Sequence, residues 1–334
     1  MTATGVRRET VIRLLADGAA HSGESVAASL GVSRSAVWKH VQALAELGLD
    51  VEAVRGKGYR VSAPFELLDP GAIIGHLPAG AGGRIERIER FLTLPSTNSH
   101  LLGMPAPQPG RALVCLAEHQ SAGRGRRGRR WQSPLGGGLC LSIGWLYAEQ
   151  PPQLSALSLA MGVAVQAALT DAGIGDVMLK WPNDILWQER KLGGVLIELN
   201  VEMSGPAHVV IGIGLNLRLG RLRGSIEHEG DLRVVDMAEF CGDRLPSRNA
   251  LAAAIVAHCL RVLLQFGAEG FAPFVCPWNE LDAYADREVQ FVLDRETVRG
   301  IARGVDEDGA LRIEIGGRVR RFVSGEVSPR ASQA

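Results

Sequence analysis

Residues 123–130 read GRGRRGRR, five arginines and three glycines in eight positions. That much glycine removes helix propensity and that many like charges forbid burial, so the segment must be a surface loop held by the chain on either side. Its first six residues satisfy G-x-G-x-x-G, the spacing of a dinucleotide-binding turn. Such a turn needs a helix to open inside the motif, because the helix N-terminus supplies the amides that hold a pyrophosphate. Here Arg129-Arg130-Trp131-Gln132-Ser133-Pro134 follows, then Gly136-Gly137-Gly138, and no acidic ribose ligand ends a next strand. The dinucleotide reading is set aside. Two others stay open: a loop whose glycines let a ligand approach while Arg124, Arg126, Arg127, Arg129 and Arg130 offer guanidinium forks to phosphate oxygens, or a solvated basic loop or nucleic-acid patch. Without a ligand the like charges should repel and keep the loop mobile, and a polyphosphate should order it.

A chain of 334 residues exceeds one average domain, and 46% apolar with 22% charged residues excludes disorder over most of its length. Lys plus Arg equals Asp plus Glu at 36 each, so binding of a polyanion must come from local clusters. The five cysteines are scattered without C-x-x-C or zinc spacing and read as reduced, mostly core thiols. The N-terminus lacks the features of a signal peptide and no run of about 18 apolar residues occurs, so a cytoplasmic protein with no membrane partner is expected.

Three regions are read. Thr10 to Ala16 is expected to be a short helix, Glu24 to Leu30 a second capped by Ser22, and a third starts after Ser33. In the third, Val37, Val41, Leu44 and Leu47 form one buried stripe, Gly48 stops the helix, and Arg34, Ser35, Trp38, Lys39 and Gln42 face outward. LDVEAVRGKGYRVS then reads as a β-hairpin with Arg55 and Lys57 at a basic tip. Three helices and a hairpin describe a winged helix-turn-helix, with a small helical interaction module as the alternative. Acidic Glu46, Asp50 and Glu52 offset some of its bases. From 64 to 282 strands are expected in RALVCLAE, GGLCLSIGWL, VMLKW, KLGGVLIELNV and HVVIGIGLNL, and helices near Leu154 to Ala172 and Asn249 to Phe266, a mixed α+β domain. From 283 to 334, alternating residues broken by Asp308-Gly309 and Gly316-Gly317 describe a small antiparallel β-barrel. The expected domains are therefore 1–63, 64–282 and 283–334.

KWPNDILWQERKLGGVLIEL sets Lys180, Asn183, Asp184 and Lys191 between two strands, with a turn at Pro182-Asn183-Asp184 and glycines that let a ligand lie against the backbone. A lysine on a strand is ordinarily a surface charge, and spacing alone does not bring Lys191 to the arginine loop.

The stretches HSGESVAASLGVSRSAVWKHVQAL, VRGKGY, PSTN, AEHQSAGRGRRGRRW, KWPNDI, RKLGGVLIE, GIGLNL and GEVSPR, in this order over nearly the whole chain, resemble the bifunctional biotin protein ligases that also act as biotin operon repressor. The resemblance implies a catalytic domain like that of class II aminoacyl-tRNA synthetases, an SH3-like C-terminal barrel, and a reaction of biotin with ATP and Mg²⁺ giving biotinyl-5′-adenylate. Biotin would then pass to a lysine of a biotin carboxyl carrier protein. It implies that Ser96, Thr97, Asn98, Gln120, Gly123, Arg124, Lys191, Gly194 and Leu196 hold biotin. Arg126, Arg127, Arg129, Trp131, Asn183, Asp184, Asn216 and Arg330 would serve the nucleotide, with Asp184 toward Mg²⁺ and Lys191, Arg124 and Arg126 catalytic. Glu326 matches a position tied to ATP and carrier handling. Ser33, Arg34, Ser35, Trp38, Lys39, Gln42, Arg55 and Lys57 would meet operator DNA, with the adenylate as corepressor favouring a homodimer. Residues 230–239 hold no Trp, Tyr or Phe where the family often places an aromatic over adenine. Phe240 and Val235 are the substitutes, and the stacking residue is left unassigned. The competing readings are a biotin-sensing regulator without turnover, a lipoate or octanoyl ligase, and a ligase whose N-terminal domain only gates the active site.

Overall fold

The computed structural model describes residues 3–201, 205–229, 233–293 and 296–329. The N-terminal unit comprises α1 (Ala3–Leu15), α2 (Gly23–Leu30), α3 (Arg34–Glu46) and a hairpin of β1 (Val51–Val54) and β2 (Gly58–Val61). Ser22 and Ser33 accept from the amides of Ser25 and Ala36, which caps α2 and α3 as their sequences predict. Val37, Val41 and Leu44 are buried against Val11, Ile12, Leu15 and Val26. The first helix starts seven residues earlier than its apolar period suggests, and Glu9 ties its polar side to Arg13 and to Arg90 of the next domain. Gly58 has φ +111°, and a Cβ there would lie 1.9 Å from the carbonyl oxygen of His21. Only glycine lets the wing close on the loop before α2.

The central domain is built on a seven-stranded sheet ordered β3-β4-β5-β9-β8-β7-β6. The strands are β3 (Ile85–Leu94), β4 (Ala112–Gln120), β5 (Gly138–Tyr147), β6 (Val177–Lys180), β7 (Asp184–Trp187), β8 (Arg190–Val201) and β9 (Ala207–Asn216). Only β3 and β4 run parallel, which makes this the mixed α+β domain expected. Period-two alternation splits β4 between two cores: Ala112, Val114 and Leu116 join the large cluster, Leu113 and Cys115 a small one on the other face. Helices α4 (Pro70–His76), α6 (Leu157–Asp171) and α9 (Arg248–Glu269) cover the large cluster, and α5 (Thr97–Leu102) sits on the opposite face. Leu154–Asp171 and Arg248–Glu269 are long and apolar enough to cross a membrane by composition, yet 61% of the most apolar 18 residues of each is buried inside the protein. Short helices α7 (Arg223–Glu229), α8 (Met237–Cys241) and α10 (Val275–Glu280) complete the domain.

The C-terminal unit is a five-stranded antiparallel sheet, β13-β12-β11-β10-β14, of β10 (Glu288–Leu293), β11 (Glu296–Val305), β12 (Leu311–Ile315), β13 (Arg318–Phe322) and β14 (Glu326–Pro329). A flat sheet would hold β13 about 14 Å from β10, but the rings of Phe322 and Phe291 are 4.3 Å apart. The sheet curls over Phe291 into a barrel-like shape, helped by a bulge between Ala302 and Val305.

Both flanking units are fastened to the centre. Trp181 Nε1 donates to the Gly309 carbonyl at 3.1 Å. At the other end Leu135 is buried in the N-terminal core, and its amide donates to the Leu47 carbonyl at the end of α3. Asp50 pairs with Arg221 and Glu52 with Arg60, so two of the three acids expected to oppose DNA already have counterions. Residues 66–69 are pinned by a buried network. Arg248 donates to Glu118, to the Gly138 carbonyl and to the Glu66 carbonyl, while Glu118 accepts from the Leu68 amide and Asn249 bonds both Glu66 and Leu67.

Candidate active site

Strand ends β4, β6, β7, β8 and β9, helix α5 and the arginine loop surround a cavity of about 320 Å³, a size suited to a small molecule. Of the expected site residues, Ser96, Thr97, Asn98, Gln120, Arg124, Arg126, Arg129, Trp131, Asn183, Asp184, Lys191, Gly194, Leu196 and Asn216 line it. Three do not. Gly123 is buried at the root of the loop, where a Cβ would lie 2.4 Å from the Trp131 carbonyl oxygen, and its own carbonyl accepts the Trp131 amide. Arg127 faces an open recess on the outer side of the loop. Arg330 lies outside the described residues.

The polar end rests on α5. Ser96 caps it, accepting from the Ser99 amide, and buries Thr97 and Asn98 against the sheet. Gln120 Oε1 accepts from the Thr97 amide at 2.8 Å and lies 3.1 Å from Thr97 Oγ1. Ser142, from β5, lies 2.6 Å from both Thr97 Oγ1 and Asn98 Oδ1. Gly212 and Gly214 in GIGLN pass beneath, where a Cβ would meet Asn98 Oδ1 at 2.4 Å and the Trp131 ring at 2.5 Å. Strand glycines therefore make the room in which Asn98 and Trp131 sit.

The charged end lies on the β6–β8 edge. Asp184, across the β6–β7 hairpin from Lys180, is 3.2 Å from its Nζ and 2.5 Å from Lys191 Nζ. Burial pushes the Asp184 carboxyl up, and the two ammonium groups outweigh it, so the group sits below its ordinary value and carries charge at neutral pH. Lys191 is also held by its backbone: its amide donates to the Arg233 carbonyl, its carbonyl accepts from Val235, and Asn216 Nδ2 donates to the Lys191 and Val235 carbonyls. Spacing gave no reason to join Lys191 to the arginine loop; the hairpin fold brings them to one cavity.

The loop itself is a small hairpin, Arg124 opposite Arg130, with Gly125 N donating to the Arg129 carbonyl at 2.7 Å. Three of its arginines have acidic partners that offset the like charge. Arg129 and Arg127 pair with Glu326 of the C-terminal sheet, and Arg124 pairs with Glu198 of β8. Burial, with Arg127 beside it, lowers Arg126 from the usual guanidinium value, and Glu326 and Asp184 act the other way.

Phe240, one of two residues considered for adenine, stacks instead on Trp187 at 4.2 Å and does not line the cavity. Val235, the other, is buried beneath the wall, and its neighbour Val234 is exposed to the cavity with Ile226. Neither Ile226 nor Val234 was named from the sequence, where Phe240 and Val235 were the substitutes considered. Among the described residues no group of three His, Cys, Asp or Glu side chains could hold a metal ion.

In the N-terminal unit Ser33, Arg34, Ser35, Trp38, Lys39 and Gln42 are exposed along α3, with Trp38 at 53%, and Arg55 and Lys57 are exposed at the hairpin tip. Helix face and tip belong to one unit, as the winged-helix reading requires.

Three family models match in order: HTH domain over residues 7–60, Biotin/lipoate A/B protein ligase family over 91–216, and Biotin protein ligase C terminal domain over 285–330. The bifunctional ligase/repressor BirA of Escherichia coli (strain K12) is 38% identical over 97% of both chains, and that of Bacillus subtilis (strain 168) is 28% identical over 92% of this chain and 93% of that one. The structure of a biotin protein ligase from Aquifex aeolicus in complex with biotin and ATP matches with TM-score 0.61 at 26% identity, covering 73% of this chain and 98% of that chain. With its reading helix, its ligase sheet and its C-terminal sheet all matched in sequence order, the chain belongs to the bifunctional biotin ligase/repressor family.

Proposed function

We propose that this chain joins biotin to ATP, releasing pyrophosphate and forming biotinyl-5′-adenylate, then passes biotin to the ε-amine of a carrier lysine with loss of AMP, and binds operator DNA when the adenylate is held. The observation that carries this reading is one cavity with a neutral hydrogen-bonding end at Thr97, Asn98 and Gln120, backed by buried Ser142, and a cationic end at Lys180, Lys191 and Arg126. The first end suits a ureido ring, the second a carboxylate beside phosphates. Attack of the biotin carboxylate on the α-phosphorus gathers negative charge there, and preplaced Lys191 and Arg126 stabilise that charge more than the ground state. The product is a mixed anhydride, from which AMP leaves readily when a neutral amine attacks. Positioning performs most of that second step.

Ser96, Thr97, Asn98, Gln120, Arg124, Gly194 and Leu196 would then hold biotin, and Arg129, Trp131, Asn183, Asp184 and Asn216 the nucleotide. The donor set fits Mg²⁺ carried in on the phosphates of ATP, with Asp184 as its single carboxylate, rather than a cage made by the protein. When bound, the ion would neutralise charge on the departing pyrophosphate. A cytoplasmic location accords with five free thiols. We place the functional units at 1–63, 64–282 and 283–334, with carrier contact on the C-terminal side and homodimerisation coupled to adenylate. A lipoate ligase is disfavoured by the matched biotin-specific C-terminal model, and a regulator without turnover by the complete cationic end.

Purified protein given biotin, ATP and Mg²⁺ without carrier is expected to accumulate biotinyl-5′-adenylate detectable by mass spectrometry. Biotin bound without adenylate would mean a sensor that does not react. Replacing Arg34, Ser35, Lys39 and Gln42 together by alanine is expected to abolish operator footprinting and leave ligation within about twofold, since the substitutions lie on an exposed helix face. An equal loss of both activities would instead support the gating role.

A further inference from the structure

Glu198 does not line the cavity. It lies on β8 two residues past Leu196, on the same side of the strand, and opens to the recess outside the arginine loop. Its Oε2 nevertheless receives two donors that belong to the cavity wall: Asn98 Nδ2 at 2.9 Å and Arg124 Nη2 at 2.8 Å.

The Glu198 carboxylate and, at 3.3 Å, the Leu196 carbonyl both accept from Asn98 Nδ2, so Asn98 directs its NH₂ toward them and its oxygen inward. That oxygen faces Ser142 Oγ. Ser142 lies within donating reach of both Asn98 Oδ1 and Thr97 Oγ1 but has a single hydroxyl hydrogen; with that hydrogen on Asn98, the Thr97 hydroxyl turns from Gln120 Oε1, 3.1 Å away, to donate to Ser142 at 2.6 Å. Gln120 Oε1 keeps the Thr97 amide as its donor and retains spare acceptor capacity. All side-chain hydrogens of the chain Thr97–Ser142–Asn98 then run toward Glu198, and lone pairs remain for whatever occupies the cavity. Such a wall is matched to a ligand that brings N–H donors, and a ureido ring brings two.

We propose that Glu198 is a positioning residue whose carboxylate sets the direction of this hydrogen-bond chain for ureido N–H recognition and, through Arg124, anchors the root of the arginine loop over the same site. The inference rests on the biotin-ligase reading above. It accounts for a charge behind a neutral pocket, where a glutamine would leave the more distant Leu196 carbonyl, 3.3 Å away, as the one acceptor-only partner holding Asn98.

The test compares wild type with Glu198→Gln, which preserves shape and removes the shorter, charged member of the two acceptors that hold Asn98. The biotin KM is expected to rise about 10- to 100-fold, the range of one hydrogen bond to a charged group, while the ATP KM at saturating biotin stays within about twofold. Preference for biotin over biotin methylated at a ureido nitrogen should shrink by about tenfold, because a chain whose direction is less firmly held demands that N–H donor less strictly. A merely structural role would lower activity without moving this ratio. Glu198→Asp keeps an acceptor-only charge and is expected to retain most of the preference. Equilibrium binding of radiolabelled biotin without ATP yields the same comparison independently of turnover. Unchanged biotin affinity and preference in Glu198→Gln overturn the proposal, whereas a wild type that binds biotin and makes no adenylate overturns the ligase reading instead.

Discussion

Lys191→Ala is expected to slow formation of the adenylate by about 10²-fold or more, the loss seen when one preplaced donor to a developing oxyanion is removed. Lys191 reaches the cavity from β8, with its ammonium on Asp184 and its backbone clamped by residues 233–235. The substitution therefore removes a charge at a fixed point and leaves the strand in place. It also leaves the buried Asp184 carboxylate with Lys180 as its remaining ammonium partner in the cavity, which adds unfavourable negative potential where phosphate must sit. Pre-steady-state release of pyrophosphate measures the step directly, and a wild-type burst in the variant would remove Lys191 from the chemistry. Transfer from adenylate supplied ready-made should suffer less, since the attack on phosphorus has already taken place.

The largest expected effect on stability is at Arg248. Its guanidinium is 4% exposed and pairs at 2.8 Å with a fully buried Glu118. Arg248→Ala strands that carboxylate in the core, which costs about 3–5 kcal/mol. The linker between the first two domains also loses its bond to the Glu66 carbonyl. Urea unfolding monitored by tryptophan fluorescence should show the loss as a lower midpoint. Pairing Arg248→Met with Glu118→Gln is expected to restore most of it, because the uncompensated charge is then gone while an acceptor for the Leu68 amide remains. A shift below about 1 kcal/mol for the single variant would mean that water reaches Glu118.

What was legible in the sequence is what local patterns encode. Ser22 and Ser33 announced their helices, Gly48 ended α3, and the strand runs of β4, β5, β6, β8 and β9 showed in continuous or alternating apolar residues. Strand β3 did not, because IERIERFLTL is charged at nearly half its positions and forms an edge paired on one side only. Helix α5 was missed although its capping serine lay inside a recognised motif; six residues give too short a period to read. The site followed the same rule. Fourteen of its residues were found by motif and stand around one cavity, but their polar supports were not, since Glu198 looks like any solvent-facing strand residue and Glu118 and Arg248 are 130 positions apart. Partner choice over such separations is a property of topology, and the hydrophobic period carries no record of it.

Leu135 belongs by chain position to the enzyme and by packing to the DNA-reading unit, with Phe65 and Leu92 gathered round the same core. That has an evolutionary consequence. A gene that lost its first 63 codons would yield an enzyme with an oily scar where Leu135 met α3, four residues beyond Trp131 in the cavity wall. Discarding the repressor domain therefore exposes apolar surface beside the active site, and a shortened enzyme gains from polar residues at Leu135 and its neighbours as well as from the deletion.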